Sequence, residues 1–305
     1  MTPPDPSQPL RDFEPRKKFF IGIDSDGCMF DSMEIKHKEC FAPMFIKHFH
    51  LQAASKYARQ AWEFVNLYSR SRGCNRFHAV ASALALLGRR PEVRARQVAI
   101  FDTRALEEWT ARESKLGESA LAAEIKAGHG ELAPFLDWSK AVNAAIADIA
   151  RGVPPFPLAR ECLEKLARQA DVIVISQTPG EALRREWAEH GLEKYVRLVA
   201  GQEMGSKSEH LKLAAAGKYP RENILMIGDA PGDCQAAKAN DVLFFPVVPN
   251  REEASWKELF EVGLDRFLAG KFAGEYEQRM FDEFDASLPA LLPWRETAKP
   301  EPVAR

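Results

Sequence analysis

The chain has 305 residues, of which 42 are Lys or Arg and 44 are Asp or Glu, and 46 % of them are hydrophobic. At about 150 residues per domain this length suggests two domains, and the absence of a basic excess argues against nucleic-acid binding as the main function. Five scattered cysteines, and no apolar run approaching the length of about 20 residues that spans a membrane, argue against a disulfide framework and a membrane protein. We therefore expect a cytoplasmic protein in a reducing compartment.

In chain order, the first predicted element is a proline-rich segment, residues 1–16, which we interpret as a mobile tail. An apolar run, Phe19–Ile23, then predicts a strand that is buried on both faces of a sheet. The sequence from residue 33 to residue 152 predicts one helix after another and no strand. We interpret this segment as an all-helical domain that is inserted after the first strand.

After the insertion, strand and helix patterns alternate along the chain. Three more apolar runs predict strands at Val172–Ile175, Ile224–Gly228 and Val242–Phe245. The alternation indicates an α/β fold with a doubly wound, mostly parallel sheet and right-handed crossovers. The predicted α/β core therefore comprises residues 17–32 and 153–292, and a second mobile tail is expected over residues 293–305.

The strongest chemical signal directly follows the first predicted strand, where Asp24 and Asp26 precede Gly27. Two carboxylates at a strand end suit a pair in which one attacks phosphorus or binds a metal and the other transfers a proton. An Asp-Gly turn that only caps the next helix is an equally good interpretation of these residues alone. Ligands of parallel sheets bind at the carboxyl ends of the strands, which favours the chemical interpretation.

A second acidic loop follows the Ile224–Gly228 run and contains Asp229 and Asp233. Mg²⁺ prefers oxygen ligands, usually one or two carboxylates with water and substrate phosphate. Asp229 is a candidate ligand, and Asp233 is a candidate for supporting it. The alternative is that these residues only cap the helix that follows, because Asp is a favoured N-cap residue.

Two weaker signals lie between the acidic loops. Ser176 and Gln177 follow the second predicted strand, just before Thr178 and a Pro-Gly pair, where a hydroxyl and a helix N-terminus would bind phosphate. A helix N-cap formed by Thr178 is the alternative. Lys207 is a candidate for balancing negative charge, although a solvated surface lysine is the more common case.

The order of these motifs resembles that of the haloacid dehalogenase (HAD) superfamily: an Asp pair, a helical insertion, a strand-end Ser, a Lys and an acidic loop. The resemblance covers residues 19–32 and about 154–248, and the insertion resembles the C1-type cap of that superfamily. It implies a HAD-like, Rossmann-like core that carries a hydrolase site. Cys28 and Met29 depart from the family, which commonly has Thr or Val and then Leu, but we expect no loss of activity.

The resemblance also implies a role for each matching residue. Asp24 would be the nucleophile that forms an aspartyl-phosphate, and Asp26 would be the general acid and base. Ser176 would bind the phosphoryl group, and Lys207 would orient Asp24 and balance its charge. Because dehalogenases proper lack a carboxylate at the position of Asp26, its presence favours phosphate esters as substrates.

The cofactor that the resemblance implies is Mg²⁺. Its ligands would be the carboxylates of Asp24 and Asp229 and the backbone carbonyl of Asp26. Asp233 would either bind the ion or support one of the groups that do. The physical chemistry agrees, because phosphoryl transfer requires mainly positioning and charge neutralisation.

Substrate selection is expected from the inserted domain and from Gln177. Residues 68–78 contain three arginines, and we predict that Arg72, Asn75 and Arg76 bind an anionic substrate, since Arg pairs with carboxylate or phosphate in a bidentate manner. A solvated basic junction between two helices is the alternative. Aromatic residues over 256–284 predict a packing surface or the surface of a homodimer.

The sequence therefore predicts a Mg²⁺-dependent phosphatase that hydrolyses a small phosphorylated metabolite, with no nucleic-acid or membrane partner. A phosphomutase would need the same residues and would differ in returning the phosphoryl group to the substrate. A non-catalytic binding protein on the same fold would have no need of Asp24, Asp26, Lys207 and Asp229 together.

Overall fold

A computed structural model of the chain describes residues 5–289 and 292–294. The chain divides into two compact units. The sheet unit comprises the described residues up to Met33 together with Arg151–Leu288, and the helical unit comprises Glu34–Ala150 with the described residues from Pro289 onward. The inserted part of the helical unit runs from Glu34 to Ala150, compared with the predicted 33–152, and the described residues after Leu288 belong to the helical unit and not to the predicted core.

The sheet unit is built on five parallel strands in the order β3-β2-β1-β4-β5. The strands are β1 (Phe19–Ile23), β2 (Ala170–Ile175), β3 (Leu198–Ala200), β4 (Ile224–Gly228) and β5 (Leu243–Pro246). The predicted α/β class with a parallel sheet is confirmed. The sequence analysis missed β3, because this edge strand has only three residues and a half-buried pattern that gives little periodicity.

The strands are buried on both faces, as their continuous apolar runs predict. Along β1, Phe20 packs with a core on one face of the sheet, whereas Ile21 and Ile23 pack with a core on the other. In β4, Met226 packs in the same core as Phe20, and Ile227 packs in the core on the other face. Successive side chains of a strand point to opposite faces, so a run of five apolar residues supplies both cores.

Helices cover the sheet on both faces, consistent with the alternation of strand and helix patterns in the sequence. In the sheet unit the α-helices after β1 are Ala159–Leu166, Gly180–Glu189, Lys207–Ala214, Pro231–Ala239, Glu252–Glu258, Leu264–Leu268 and Glu275–Ser287. A π-helical turn, Leu259–Gly263, separates the fifth of these helices from the sixth. The aromatic residues over 256–284 include Trp256, Phe267 and Phe284, which are buried in the cores of this unit as the packing interpretation predicts.

The helical unit contains no strand among its described residues. After Ser32–Ile35, in which the boundary between the units falls, its helices are Lys36–Phe41 (π-helical), Ala42–His48, Ser55–Asn66, Arg76–Arg89, Pro91–Ala95, Arg104–Arg112, Glu118–Lys126 and Ala133–Ile149. Its core is centred on the fully buried Trp62 and Trp138, whose ring centroids lie 5.7 Å apart. In the part of the chain that the structure describes, no helix is both long and apolar enough to cross a membrane.

The N-terminal segment differs from the mobile tail predicted over residues 1–16. Its described part contains a short helix, Gln8–Arg11, and buries Leu10 and Phe13 against the sheet unit. The backbone N–H of Arg16 donates to the buried carboxylate of Asp171 at 2.7 Å. The prediction is wrong for residues 5–16, because Leu10 and Phe13 are buried and Lys218 and Arg197 donate hydrogen bonds to carbonyls of the segment.

Only two residues of the second predicted tail, 293–305, are described, and the rest of it lies outside the described residues. Within the helical unit, Trp294 packs edge-on against Phe64, with ring centroids 5.5 Å apart, and the guanidinium of Arg90 lies 4.3 Å from the centre of the Trp294 ring. These contacts place Trp294 in a packed position, in contrast to the predicted tail.

Candidate active site

The carboxyl ends of β1, β2 and β4 bring the predicted site residues to one edge of the sheet. β1 pairs in parallel register with β2 on one side and with β4 on the other. Asp24 directly follows β1, Ser176 follows β2 and Asp229 follows β4, and all three are buried. The structure therefore brings together residues that are 205 positions apart in sequence, as the parallel topology predicts.

Lys207 connects the two acidic loops. Its ammonium donates to Asp24 Oδ2 and to Asp233 Oδ1, each at 2.6 Å. The residue begins the helix Lys207–Ala214, and a capping box between Ser206 and Glu209 fixes the start of that helix. Lys207 is therefore not a solvated surface lysine, and its position is set by a local sequence signal.

Three carboxylates form a compact acidic cluster at this edge. Oxygen atoms of Asp24, Asp229 and Asp233 all lie within 4.8 Å of one another, and all three residues are buried. Asp233 also accepts a hydrogen bond from the backbone N–H of Ala230 through Oδ2, at 3.0 Å. A set of hard oxygen donors at this spacing fits Mg²⁺, which binds carboxylates in preference to nitrogen or sulfur ligands.

The electrostatics of the cluster follow from its burial and its net negative charge. Burial raises the pKa of Asp24 to about 6, although the ammonium of Lys207 acts in the opposite direction. Burial also raises the pKa of Asp233, and Asp229 contributes to that rise. For Lys207, burial alone would lower the pKa, but Asp233 and Asp24 raise it, so the side chain remains an ammonium.

Gly228, the last residue of β4, allows Asp233 to approach the strand closely. A Cβ atom at Gly228 would lie 2.3 Å from Asp233 Cγ, a distance that requires one of the two groups to move. Gly232 precedes Asp233 in the helix Pro231–Ala239. It is exposed, and a Cβ atom at this position would meet nothing within 4 Å. The two glycines therefore form a matched pair for testing how tightly Asp233 is packed.

We expect Gly228→Ala to lower the free energy of unfolding by about 1–3 kcal/mol, because the added methyl group overpacks a buried site. Gly232→Ala should instead change it by less than about 1 kcal/mol, in the stabilising direction, because Ala is the better helix residue. Urea denaturation of both variants measures the difference. Equal stabilities would show that Asp233 is not held against β4.

Asp26 has a different environment from Asp24. Its Oδ1 accepts a hydrogen bond from Ser32 Oγ at 2.5 Å, and its Oδ2 accepts one from Thr178 Oγ1 at 2.8 Å. Gly27 has a φ of +75°, a conformation that glycine adopts without strain, and it turns the loop after Asp26. The sequence analysis assigned no role to Ser32 and interpreted Thr178 as a possible helix cap, so it missed both contacts.

The loop after β2 places Ser176 at the site, and the first N–H of the next helix already has a protein partner. Ser176 Oγ accepts a hydrogen bond from the backbone N–H of Thr178 at 3.2 Å. At the start of the helix Gly180–Glu189, the Gly180 N–H donates to the carboxylate of Glu203 at 3.1 Å. This protein carboxylate takes the place that the sequence analysis expected for a phosphate, and Thr178 does not cap the helix. Gln177 is exposed and donates to the carbonyl of Gly205 at 3.0 Å.

The three other predicted substrate-binding residues lie in the helical unit and have contacts within it. Asn75 caps the helix Arg76–Arg89 by accepting from the backbone N–H of Phe77 at 3.0 Å. Arg76 donates to Ser139 Oγ at 2.9 Å, and burial lowers its pKa. Arg72 is buried and donates to the carbonyl of Leu67 at 3.0 Å. Arg72 is thus buried and Asn75 and Arg76 are half-buried, whereas Arg70 of the same segment is exposed. Substrate binding by these residues stays a prediction.

Comparison with known proteins gives one family. The model of the family described as haloacid dehalogenase-like hydrolase matches residues 116–247, which include Ser176, Lys207, Asp229 and Asp233, whereas Asp24 lies outside the match. No curated protein matches the chain.

Solved structures that resemble the chain include three from bacteria. A haloacid dehalogenase-like family hydrolase from Xanthomonas campestris is 12 % identical over 85 % of this chain and 96 % of its own, with a TM-score of 0.45. A predicted phosphoglycolate phosphatase from Haemophilus somnus is 14 % identical over 76 % of this chain and 86 % of its own, with a TM-score of 0.45. A haloacid dehalogenase-like family protein from Streptococcus pneumoniae is 13 % identical over 78 % of this chain and 90 % of its own, with a TM-score of 0.42. Over residues 116–247 the chain is therefore similar to haloacid dehalogenase-like hydrolases, and its parallel sheet brings the predicted motifs to one edge.

Proposed function

We propose that the protein is a Mg²⁺-dependent phosphatase that hydrolyses a small phosphomonoester through an aspartyl-phosphate. The observation on which the proposal depends is the geometry of Asp24: its carboxylate is buried at a strand end and bound by Lys207 at 2.6 Å, beside two further carboxylates. Phosphoryl transfer needs a positioned nucleophile and neutralised charge more than it needs covalent chemistry from the protein. The candidate site positions Asp24 and places the ammonium of Lys207 against it, and a bound metal would supply the remaining positive charge.

In the first step, a carboxylate oxygen of Asp24 forms a bond to phosphorus while the bond from phosphorus to the ester oxygen breaks. Asp26 gives a proton to the departing ester oxygen, so an alcohol leaves and an aspartyl-phosphate remains. In the second step a water molecule gives its proton to Asp26 and attacks phosphorus. Inorganic phosphate leaves, and the Asp24 carboxylate is restored. The hydroxyl of Ser176 would donate a hydrogen bond to the phosphoryl group in both steps.

The carboxylates of Asp24 and Asp229 would hold the metal together with the backbone carbonyl of Asp26. Asp233 accepts hydrogen bonds on both of its oxygens, from Lys207 and from the Ala230 N–H, which supports a role in positioning Lys207 as well as in metal binding. Bound Mg²⁺ supplies positive charge that offsets the developing charge of the phosphoryl group. Lys207, at the start of the helix Lys207–Ala214, neutralises part of the negative charge of the acidic cluster.

The identity of the leaving group follows from Asp26. A carboxyl group that transfers protons is needed to expel an alkoxide from a phosphate ester, and it is not needed to displace a halide. Asp26 is held at the same edge of the sheet as Asp24 by contacts from Ser32 and Thr178. This arrangement supports a phosphate ester as the substrate in preference to a compound whose carbon–halogen bond is cleaved.

The test is release of inorganic phosphate from para-nitrophenyl phosphate, followed by a panel of phosphorylated metabolites. We expect metal-dependent turnover with free phosphate as the product. Recovery of an isomeric phosphate ester in place of free phosphate would identify a phosphomutase. The absence of turnover on every ester by a folded protein would favour a binding protein on this fold.

We expect removal of divalent metal by a chelator to abolish phosphate release and to lower the melting temperature, because three buried carboxylates then share one ammonium. Mg²⁺ at about 100 times its dissociation constant should restore about 2.7 kcal/mol of stability. Thermal denaturation across a Mg²⁺ titration measures this without reference to activity.

Asp229→Asn should weaken that stabilisation, whereas replacement of the exposed Asp282 by Asn should leave it unchanged. A melting temperature that is insensitive to Mg²⁺ in the wild-type protein would contradict the proposed metal site.

A further inference from the structure

We infer, on the basis of the proposed function, that Ser32 and Thr178 are positioning residues that orient Asp26 for proton transfer. Ser32 Oγ lies 2.5 Å from Asp26 Oδ1, and Thr178 Oγ1 lies 2.8 Å from Asp26 Oδ2. Each carboxyl oxygen thus has its own hydroxyl partner. Two hydrogen bonds on separate oxygens fix the plane of the carboxyl group, whereas a single one would leave it free to rotate. We call these two residues the hydroxyl pair.

The hydroxyl pair comes from two separate segments of the sheet unit: Ser32 begins the helix Ser32–Ile35, and Thr178 lies in a loop. Ser32 is fully buried and lies six residues after Asp26, beyond a tight turn in which the Gly27 N–H donates to the carbonyl of Phe30 at 2.9 Å. Thr178 lies in the loop after β2, 152 residues from Asp26 in sequence. The carboxyl group is therefore held between the loop that contains it and the loop that contains Ser176.

The chemistry of the partners distinguishes Asp26 from Asp24. A hydroxyl both donates and accepts, so the pair can donate to a carboxylate, and one of its members can turn to accept from a carboxylic acid. An ammonium only donates and therefore favours the charged form of its partner. Asp24, the proposed nucleophile, has Lys207 as its partner. Asp26 instead accepts from two neutral hydroxyls, one on each of its carboxyl oxygens.

The contacts of Thr178 allow its hydroxyl to be removed without disturbing the phosphate-binding serine. The hydrogen bond to Ser176 Oγ is donated by the backbone N–H of Thr178 and does not involve the side chain. Thr178 is half-buried, and Val has nearly the same shape. Thr178→Val therefore removes one hydrogen bond to Asp26 and leaves the contact to Ser176 in place.

The experiment compares kcat/KM for phenyl phosphate and for para-nitrophenyl phosphate in the full-length protein. The two esters differ little in size, but phenolate is the poorer leaving group and depends more on a proton from Asp26. General acid–base catalysis contributes about 10²–10⁴-fold to a rate. We expect Thr178→Val and Ser32→Ala each to lower kcat/KM for phenyl phosphate by about 10-fold or more, and that for para-nitrophenyl phosphate by less than about threefold. Asp26→Asn should show the same selectivity with a larger loss.

Two further variants complete the test. Thr178→Ser keeps a hydroxyl and should restore most of the rate for phenyl phosphate, whereas Thr110→Val, at a half-buried threonine of the helical unit, should change neither rate. Equal losses for both esters, or no loss for either, would overturn the role of the hydroxyl pair while the phosphatase proposal stands on the activity of the wild-type protein. A wild-type protein without activity on either ester would overturn both.

Discussion

Replacing Asp24 by Asn is expected to abolish phosphate release while making the metal-free protein at least as stable as the wild type. The loss of activity should be about 10³-fold or more, because the amide cannot form the proposed aspartyl-phosphate. The gain in stability follows from the burial of Asp24 beside two other carboxylates. A residue that destabilises the fold and is needed for activity is typical of a functional site.

The sign of the stability change follows from the pKa of Asp24, which burial raises from 3.8 to about 6. A carboxyl group whose pKa is higher in the folded state favours folding only when it is protonated. Its destabilising effect is absent below pH 3.8, grows as the pH rises to about 6, and is complete above that value. Asp24→Asn should therefore gain up to about 3 kcal/mol over the wild type near neutral pH and nothing in strong acid.

Denaturation in the presence of a chelator, at several pH values, measures this difference. Asp282→Asn is the matched control, because Asp282 is an exposed aspartate of the sheet unit, and this change should leave both activity and stability nearly unaltered. Retention of activity by Asp24→Asn would exclude Asp24 as the nucleophile. A variant that is less stable than the wild type at neutral pH would show that the contact with Lys207 outweighs the burial of the charge.

The part of the site that follows strand ends could be predicted from the sequence, and the part that depends on contacts between loops could not. Apolar runs that end in Asp24 and Asp229 locate two carboxylates at one edge once the sheet is parallel. The contact of Thr178 with Asp26 joins loops 152 residues apart, and no local pattern indicates which hydroxyl reaches which carboxylate. Glu203 was missed for the same reason, since it reaches the Gly180 N–H from a separate loop.

The errors in the fold have a similar physical origin. β3 has three residues at the sheet edge, too few for a periodicity to be seen. The segment before β1 is docked by Leu10 and Phe13 and by the carboxylate of Asp171, which accepts from the Arg16 backbone. Composition indicates the average behaviour of a segment, and here it is overridden by two buried side chains and by hydrogen bonds that Lys218 and Arg197 donate to carbonyls of the segment.

Replacing Lys207 by Met should produce the largest loss of stability among the substitutions considered. The side chain is 14 % exposed, and its ammonium is the shared partner of Asp24 and Asp233. Its removal leaves three buried carboxylates without that cation, and loss of one partner of a buried pair typically lowers the free energy of unfolding by about 3–5 kcal/mol. Phosphate release should fall by about 10²–10³-fold, because a positive charge at the reacting group is lost as well.

Urea denaturation of metal-free Lys207→Met near neutral pH measures the loss of stability, with Lys212→Met as the control. Lys212 lies in the same helix and is exposed, so its replacement should change stability by less than about 0.5 kcal/mol.

The dependence of stability on Mg²⁺ and its dependence on pH both distinguish an electrostatic role of Lys207 from simple packing of its aliphatic stem. Mg²⁺ should stabilise Lys207→Met more than it stabilises the wild type, because the ion would replace the missing positive charge in the acidic cluster. The deficit should also shrink as the pH falls, since protonation of Asp24 and Asp233 removes the repulsion that Lys207 offsets. Methionine fills nearly the same volume as the lysine stem. A deficit that is equally large at every pH and with or without Mg²⁺ would therefore assign Lys207 a packing role and contradict its function as the cation of the site.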